Sequence, residues 1–383
     1  MSVTVAPVRA RTDLTAFIRL PYHLYRDDPL WVAPLEHERR SFLDPARNPY
    51  HRVADVRLFL AQRHGTVVGR IAAIVDPRYN ERHGPDRGLI GLFECADDTE
   101  AAAALFDAAD DWLAAQGMTR TFGPLGFTTN DECGIQISGF DQPHILMIPR
   151  TRPYYPQLFS VCGFEKAKDL VSYAIPIPGD GEPPAEYREA ADRVLATPGL
   201  TVRPMDPKRT EADMETVRKL YNETFTRSYG SVPIDEAQFA YALRKLKPLL
   251  RPGLLQIAEM RGTPVAFLLC LPDAHQALRA ARGRFTTFGL PVGLIRAARA
   301  VRRIDRVRFA AMGVAKEHRS RGLAAALVTQ AQRAAFRLGY TEISYSWVLE
   351  DNHASRRHGE ALGGVHTQTH RLYERATAAQ RRS

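Results

Sequence analysis

The sequence predicts an α/β fold with a mixed sheet, made of two tandem copies of one α/β unit. Helical and strand patterns alternate along the chain, which is typical of an α/β protein. A β-hairpin pattern in residues 61–68 recurs in the second half at residues 258–265. A segment with four prolines, residues 176–184, separates the copies. We therefore place a first domain at residues 1–178, a linker region at 179–199 and a second domain at 200–383.

Short apolar runs and helical periodicity predict the elements of the first copy. Asp98 and Gly117 bound its clearest helix as N-cap and stop. The predicted order is a strand at 2–8, a helix at 14–25, a hairpin at 56–63 and 67–75, a strand at 89–95, a helix at 98–116, a strand at 119–124, a short helix at 153–164 and a closing strand at 171–175.

The second copy shows the same alternation. Its best-defined helix, residues 323–338, is rich in alanine and is followed by Gly339. The other predicted elements are a strand at 200–204, helices at 211–225 and 235–246, a hairpin at 255–260 and 265–271, strands at 309–314 and 342–349, and a short helix after Asn352.

Composition is that of an ordinary globular protein, with 45% apolar and 25% charged residues among 383. The chain has no apolar run of the roughly 18 residues needed to span a bilayer and no signal-peptide pattern, so we expect a cytoplasmic location. The four cysteines are scattered, and we expect neither a metal site nor a disulfide. The net charge of +9 is compatible with an anionic partner.

The most informative stretch is the turn between the strand at 309–314 and the helix at 323–338. It reads Arg319-Ser-Arg-Gly-Leu-Ala324, so Gly322 and two arginines stand at a helix N-terminus. Free first-turn N–H groups, the helix dipole and the arginines all favour an anion there. The alternative is an ordinary glycine-containing turn with two solvated arginines.

The order strand, Arg-x-x-Gly-x-Ala, helix, strand, Asn, helix, Gly resembles the acyl-CoA-binding core of the GNAT acyltransferase superfamily. The resemblance implies that acetyl-CoA or a longer acyl-CoA is the co-substrate and that its pantetheine arm lies between the two strands. It implies three sets of binding residues: Met312, Gly313 and Val314 beside pantetheine; Arg319, Ser320, Arg321, Gly322, Leu323 and Ala324 around pyrophosphate; and Asn352 facing the acyl-CoA arm. The whole chain also resembles a bacterial tandem-GNAT family of about this length, some members of which are similar to bacterial ceramide synthases.

One position departs from the superfamily pattern. The tyrosine expected seven residues after the asparagine, which would protonate the leaving thiolate, is replaced by Gly359. Tyr345 and Tyr373 are alternative acids. Glu350 and Asp351, at the end of a core strand, are the candidate bases, although Asp351 or Asn352 would also serve as a simple helix cap. We take Glu350, Asp351 and Tyr345 as the candidate catalytic residues.

The first copy lacks the arginine-glycine turn and has the acidic stretch 93–98 in its place. Carboxylates at a helix N-terminus repel pyrophosphate, so we expect one acyl-CoA site per chain, in residues 200–375. A polar cluster in the first copy, residues 130–132, also follows a core strand, which leaves open an acceptor cleft shared between the copies.

Residues 274–306 form an insertion in which arginines alternate with apolar side chains. Such a segment contacts an anionic membrane or a lipid chain, or else it is an ordinary solvated helix. In the first case the protein would also be located peripherally on the inner membrane face. The resulting hypothesis is an acyl-CoA-dependent N-acyltransferase acting on a small-molecule or lipid amine, including sphingoid-type amines. The alternative is a catalytically silent acyl-CoA-binding sensor or scaffold. Nucleic-acid binding ranks last, because aromatic stacking residues are not interleaved with the arginines.

Overall fold

The structure is a computed structural model that describes residues 2–225, 228–281, 292–319 and 322–377. Thirteen strands occur in these residues. In chain order they are β1 (Thr4–Pro7), β2 (Asp55–Arg63), β3 (Thr66–Val75), β4 (Arg87–Cys95), β5 (Arg120–Leu125), β6 (Ile135–Ser138), β7 (Glu165–Pro176), β8 (Leu200–Pro204), β9 (Leu255–Met260), β10 (Thr263–Pro272), β11 (Arg306–Val314), β12 (Glu342–Leu349) and β13 (Val365–Ala376).

Twelve α-helices are found in the same described ranges, and local sequence explains several of their ends. Asp98 accepts a hydrogen bond from the N–H of Ala101 and so caps the fourth helix, as expected. The helices are α1 (Arg11–Leu24), α2 (Glu36–Phe42), α3 (Pro77–His83), α4 (Thr99–Ala115), α5 (Tyr155–Val161), α6 (Ala185–Leu195), α7 (Thr210–Thr224), α8 (Glu236–Leu246), α9 (His275–Ala281), α10 (Val292–Val301), α11 (Leu323–Arg337) and α12 (His353–Ala361).

The strands form one mixed sheet, and the predicted α/β fold class is confirmed. The order is β1-β2-β3-β4-β5-β13-β7-β12-β11-β10-β9-β8, with β6 paired to β13. The repeated hairpins have the same turn: His64 and Gly65 have φ of 51° and 74°, and Arg261 and Gly262 have φ of 52° and 80°. Left-handed residues at both turn positions fit the right-handed twist of a two-residue hairpin.

The two copies exchange their last strands at the centre of the sheet. Strand β7, from the first half, pairs with β12 of the second half, and β13, from the second half, pairs with β5 of the first. The two exchanged strands pair with each other in antiparallel orientation. The division into domains at residues 178 and 200 stays a prediction, and the exchange means that each half is completed by a strand of the other.

Helices cover both faces of the sheet. Within the predicted linker region lies α6, whose residues Tyr187 and Ala191 are buried in the same apolar cluster as α11. On the same side of the sheet, α4 packs in the first half much as α11 packs in the second. The packing of α6 places an additional helix beside the arginine-glycine turn.

Candidate acyl-CoA site

The strands β11 and β12 separate part of the way along their length. The first parallel pair is Arg306 with Glu342, and the last is Phe309 with Tyr345. Beyond this last pair the two strands no longer pair with each other. On its other edge β11 stays paired with β10, where Met312, Gly313 and Val314 oppose residues 268, 267 and 266. In this antiparallel ladder the backbone groups of Gly313 point to β10, because Ala315, two residues on, donates to the carbonyl of Val265 in β10. Those of Met312 and Val314 point to the β12 side, where they have no strand partner among the described residues, although the Val314 carbonyl accepts from Arg319. An extended amide-containing chain such as pantetheine can pair with such an edge.

The separated strands lead to the N-terminus of α11. Gly322 precedes this helix with φ of 77°, a left-handed conformation that glycine adopts without strain. No side chain caps the helix, and its first turn carries no acidic residue. The first-turn N–H groups, which have no partner within the helix, and the helix dipole make this end attractive for an anion.

The arginine-glycine turn is held by contacts to the preceding elements. Arg319 is exposed, and its Nε donates to the carbonyl of Val314 at 3.1 Å while Nη2 donates to the carbonyl of Thr224 at 3.2 Å. Ser320 and Arg321 lie outside the described residues. Leu323 is buried in the core and Ala324 is half-buried. An added Cβ on Gly322 would lie 2.5 Å from Cγ2 of Val194, so α6 limits the space beside the turn.

The polar residues that follow β12 have protein partners. Asn352 caps α12 by accepting a hydrogen bond from the N–H of Ser355 at 3.1 Å. The Glu350 carboxylate accepts from Lys166 at 2.6 Å, and the Asp351 carboxylate accepts from Lys168 at 2.8 Å. Lys168 holds the pKa of Asp351 below its ordinary value, which makes that carboxylate a weaker base.

The candidate acid Tyr345 lies at the last pair before the strands separate. It is 8% exposed, and burial raises the pKa of its phenol, so the hydroxyl stays protonated at neutral pH. Its ring packs beside Tyr173 of β7, with centroids 6.4 Å apart. The other candidate, Tyr373, pairs with Gly123 of β5 and packs on Phe159 in the core of the first half. Tyr345 is thus at the opening between β11 and β12, and Tyr373 is not.

In the first half, β4 and β5 pair in parallel only as far as Gly91 and Leu125, and protein side chains occupy the opening beyond that point. The hydroxyl of Tyr155 accepts from the N–H of Cys95 at 2.9 Å, and the hydroxyl of Tyr154 donates to the carbonyl of Cys95 at 2.9 Å. Tyr155 also donates to the partly buried Glu94 at 2.7 Å. The predicted acidic helix start is present as well, with Asp98 paired to Arg63 at 2.8 Å. Two tyrosines therefore use the backbone groups that an incoming pantetheine would need.

Sequence reasoning missed two residues near this site. Tyr173 comes from the exchanged strand β7, and its hydroxyl accepts from Nε of Arg356 at 3.3 Å. Arg308 of β11 is buried and stacks on Trp347 of β12, with the guanidinium carbon 5.0 Å from the ring centroid. Arg308 could have been noticed as a charged residue directly before a predicted buried strand. Tyr173 could not, because the strand exchange that places β7 beside β12 is not visible in the sequence.

Comparison with known proteins agrees with this geometry. Residues 214–363 match the family described as Acetyltransferase (GNAT) family. The chain is 33% identical over 381 residues to the bacterial ceramide synthase of Caulobacter vibrioides, covering 98% of this chain and 97% of that protein. It is also 33% identical over 369 residues to protein YghO of Escherichia coli, covering 95% and 93% of the two chains.

A solved structure shares the overall fold. The tandem GNAT protein from the clavulanic acid biosynthesis pathway superposes with a TM-score of 0.57 at 14% identity, covering 98% of this chain and 99% of that one. At this identity the likeness concerns the fold alone. The near-full-length relatives and the family match show that the chain belongs to the GNAT family of N-acyltransferases.

Proposed function

We propose that the C-terminal half binds an acyl-CoA and transfers its acyl group to the amine of a lipid-type acceptor. The observation that carries the proposal is the contrast between the two strand openings. The opening between β11 and β12 presents the backbone of Met312 and the N–H of Val314 without a strand partner among the described residues, and it ends at an uncapped helix N-terminus. Its counterpart in the first half is occupied by Tyr154 and Tyr155.

In this proposal the loop from Arg319 to Ala324, including Ser320 and Arg321, holds the diphosphate. Main-chain N–H groups of Gly322, Leu323 and Ala324 supply the hydrogen bonds, as at other helix N-termini that bind phosphate. Arg319 donates to two backbone carbonyls and has no carboxylate partner among the described residues. Its positive charge therefore remains available to the diphosphate. Asn352 stays in the proposal as a residue of the acyl-CoA arm, acting through the position of α12 that it caps.

The reaction joins the neutral amine nitrogen to the thioester carbonyl carbon and then breaks the carbon–sulfur bond. The thiolate takes a proton, for which Tyr345 is our first candidate because its protonated phenol lies where the strands separate. The amine gives up one proton, which restores the phenol through solvent. Glu350 and Asp351 remain candidate bases, and they would have to release Lys166 and Lys168 to act.

A lipid-type acceptor is supported by the relative named a bacterial ceramide synthase and by the surface of the insertion. Helix α10 exposes Ile295 and Val301, at 47% and 44%, beside the exposed Arg296 and Arg299. Apolar side chains among arginines suit the interface of an anionic bilayer. Part of the insertion, residues 282–291 with Arg282, Arg284, Phe285, Phe288 and Leu290, lies outside the described residues. None of the described helices is long and apolar enough to cross a membrane.

The test is release of free thiol from acyl-CoAs of two to eighteen carbons, each offered a long-chain amine. We expect turnover that depends on both substrates and yields the amide. Binding of acyl-CoA without thiol release for any amine would instead favour the silent acyl-CoA-binding protein, which the glycine at position 359 also suggests. Cosedimentation with phosphatidylglycerol vesicles tests the membrane contact. The variant with Ile295→Ser and Val301→Ser should sediment less, and unchanged sedimentation would contradict the contact.

A further inference from the structure

A buried arginine at the strand opening has no oppositely charged partner in the part of the chain that the structure describes. Arg308 pairs with Ser344 across β11 and β12, one position before the strands separate, and it is 2% exposed. Its Nε is buried without a hydrogen-bond partner. Among the described residues no carboxylate lies within ion-pairing distance of its guanidinium, which instead stacks on Trp347.

The nearest titratable groups do not neutralise this charge. Asp273 accepts hydrogen bonds from the N–H of Leu146 at 2.9 Å and of His275 at 3.3 Å, and it faces Arg306 at 3.5 Å. The thiol of Cys133 stays neutral, since burial raises its pKa to about 12. Burial lowers the pKa of Arg308 to about 10, so the guanidinium is still charged at pH 7.

A buried guanidinium without a counter-charge is costly for folding. An unsatisfied buried polar group commonly costs about 1–3 kcal/mol, and a charged one costs more. An apolar residue would pack against Trp347 without that cost. This arrangement is therefore better explained by a bound group that completes it than by stability.

The location of Arg308 suggests which substrate it meets. Its neighbours in β11, Val307 and Phe309, pack with α11 on one face of the sheet, so Arg308 points to the opposite face. That face meets the first half, where Trp347 packs with a cluster that includes Cys133. The guanidinium thus lies between the halves, on the side of the opening away from α11.

We propose that Arg308 binds an oxygen substituent adjacent to the amine of the acceptor. The inference rests on the proposed acyl transfer and narrows the acceptor to amines with a neighbouring hydroxyl, carbonyl or carboxylate oxygen. A guanidinium has only donors, so its ligand atom must be an acceptor such as oxygen. A fixed positive charge nearby also favours the neutral, nucleophilic form of the amine.

The experiment compares amines of equal chain length: decylamine, 2-aminodecan-1-ol and 2-aminodecanoate, each below its micelle-forming concentration. We expect the wild-type protein to prefer an oxygen-bearing amine to decylamine by about tenfold or more in kcat/KM. In Arg308→Met that ratio should fall to near one. The matched control is Arg306→Met, two residues away on the same strand but already paired with Asp273 and Glu342; it should lose stability and keep the ratio.

The same comparison by thermal shift does not need turnover, because a ligand stabilises the folded state by mass action. Oxygen-bearing amines should stabilise wild type more than decylamine does, and Arg308→Met should abolish the difference. If binding discriminates but no amine releases thiol, acyl transfer is wrong and the oxygen-binding site stands. Equal preference for all three amines in wild type, or preference retained in Arg308→Met, overturns the inference.

Discussion

Gly359 of α12 lies directly against the ring of Tyr345 of β12. A Cβ added to Gly359 would be 3.1 Å from Cδ1 of Tyr345 and 3.4 Å from Cδ2 of Tyr173. The position where the superfamily pattern expects a tyrosine on the helix therefore borders two tyrosines from neighbouring strands. In this protein the absence of a side chain at 359 leaves room for those rings.

Removal of the Tyr345 hydroxyl tests its proposed role as the acid. In Tyr345→Phe we expect kcat to fall by about 10²-fold, the lower range for general acid catalysis, with little change in KM for acyl-CoA. The ring packing is retained, so stability should change little. Tyr373→Phe is the control, because Tyr373 packs in the core of the first half. Equal kcat for Tyr345→Phe and wild type would exclude the phenol as the acid.

An exchange of tyrosine between helix and strand tests the spatial relationship itself. Gly359→Tyr alone should lose both stability and activity, since its side chain overlaps the ring of Tyr345. Adding Tyr345→Ala should recover part of both, giving a strongly non-additive double-mutant cycle. Thermal unfolding and thiol release measure the two effects. Additive losses would mean that the two positions do not share one space.

The turn before α11 can be tested with two variants of equal size. Gly322→Asp and Gly322→Asn meet the same crowding from Val194 and the same unfavourable φ, and they differ in charge. We expect the aspartate variant to bind CoA at least about tenfold more weakly than the asparagine variant, because its carboxylate faces the diphosphate. Calorimetry measures both affinities. Equal Kd values would contradict diphosphate binding at this turn.

The exchanged strands are joined by an ion pair whose contribution depends on pH. Arg371 of β13 donates to Asp169 of β7 at 2.7 and 2.9 Å, and Lys166 lies 3.0 Å from the same carboxylate. Burial raises the pKa of Asp169, but Arg371 and Lys166 outweigh it, so the folded-state pKa is lower than the ordinary 3.8. The stabilisation is thus complete above pH 3.8 and is lost as pH falls through the lowered value.

We therefore expect Asp169→Asn to reduce the free energy of unfolding by about 1–2 kcal/mol at pH 7. The difference from wild type should shrink in acid below the lowered pKa. Denaturant unfolding at several pH values measures it. Asp351→Asn is the comparison, since that carboxylate is 61% exposed and should contribute much less. A pH-independent difference for Asp169→Asn would show that the ion pair is not its cause.

Much of the fold was predictable because the informative patterns are local. The alanine-rich helix α11, the capped helix α4 and the two hairpins were found close to their observed bounds, since caps, turns and periodicity lie within each segment. Helix α6 was missed, because its polar composition near prolines was taken as linker. Strand β13 was missed too. Its alternation of buried and exposed residues results from its position between β5 and β7 in the folded sheet.

The local structure of the candidate site was predictable where it depends on one stretch of chain. The turn at Gly322 and the strands β11 and β12 were identified by their order along the sequence. The lysines that bind Glu350 and Asp351 come from β7, which is distant in sequence and reaches β12 through strand exchange. The closure of the first opening also depends on Tyr154 and Tyr155, which lie far along the chain from Cys95.

A crystal structure of the protein with bound CoA tests the central claim most directly. We predict a single CoA, with its diphosphate within hydrogen-bonding distance of the N–H groups of Gly322, Leu323 and Ala324 and its pantetheine arm beside Met312 to Val314. The thiol should point toward Tyr345. CoA in the opening of the first half, or a diphosphate bound away from the start of α11, would contradict the account.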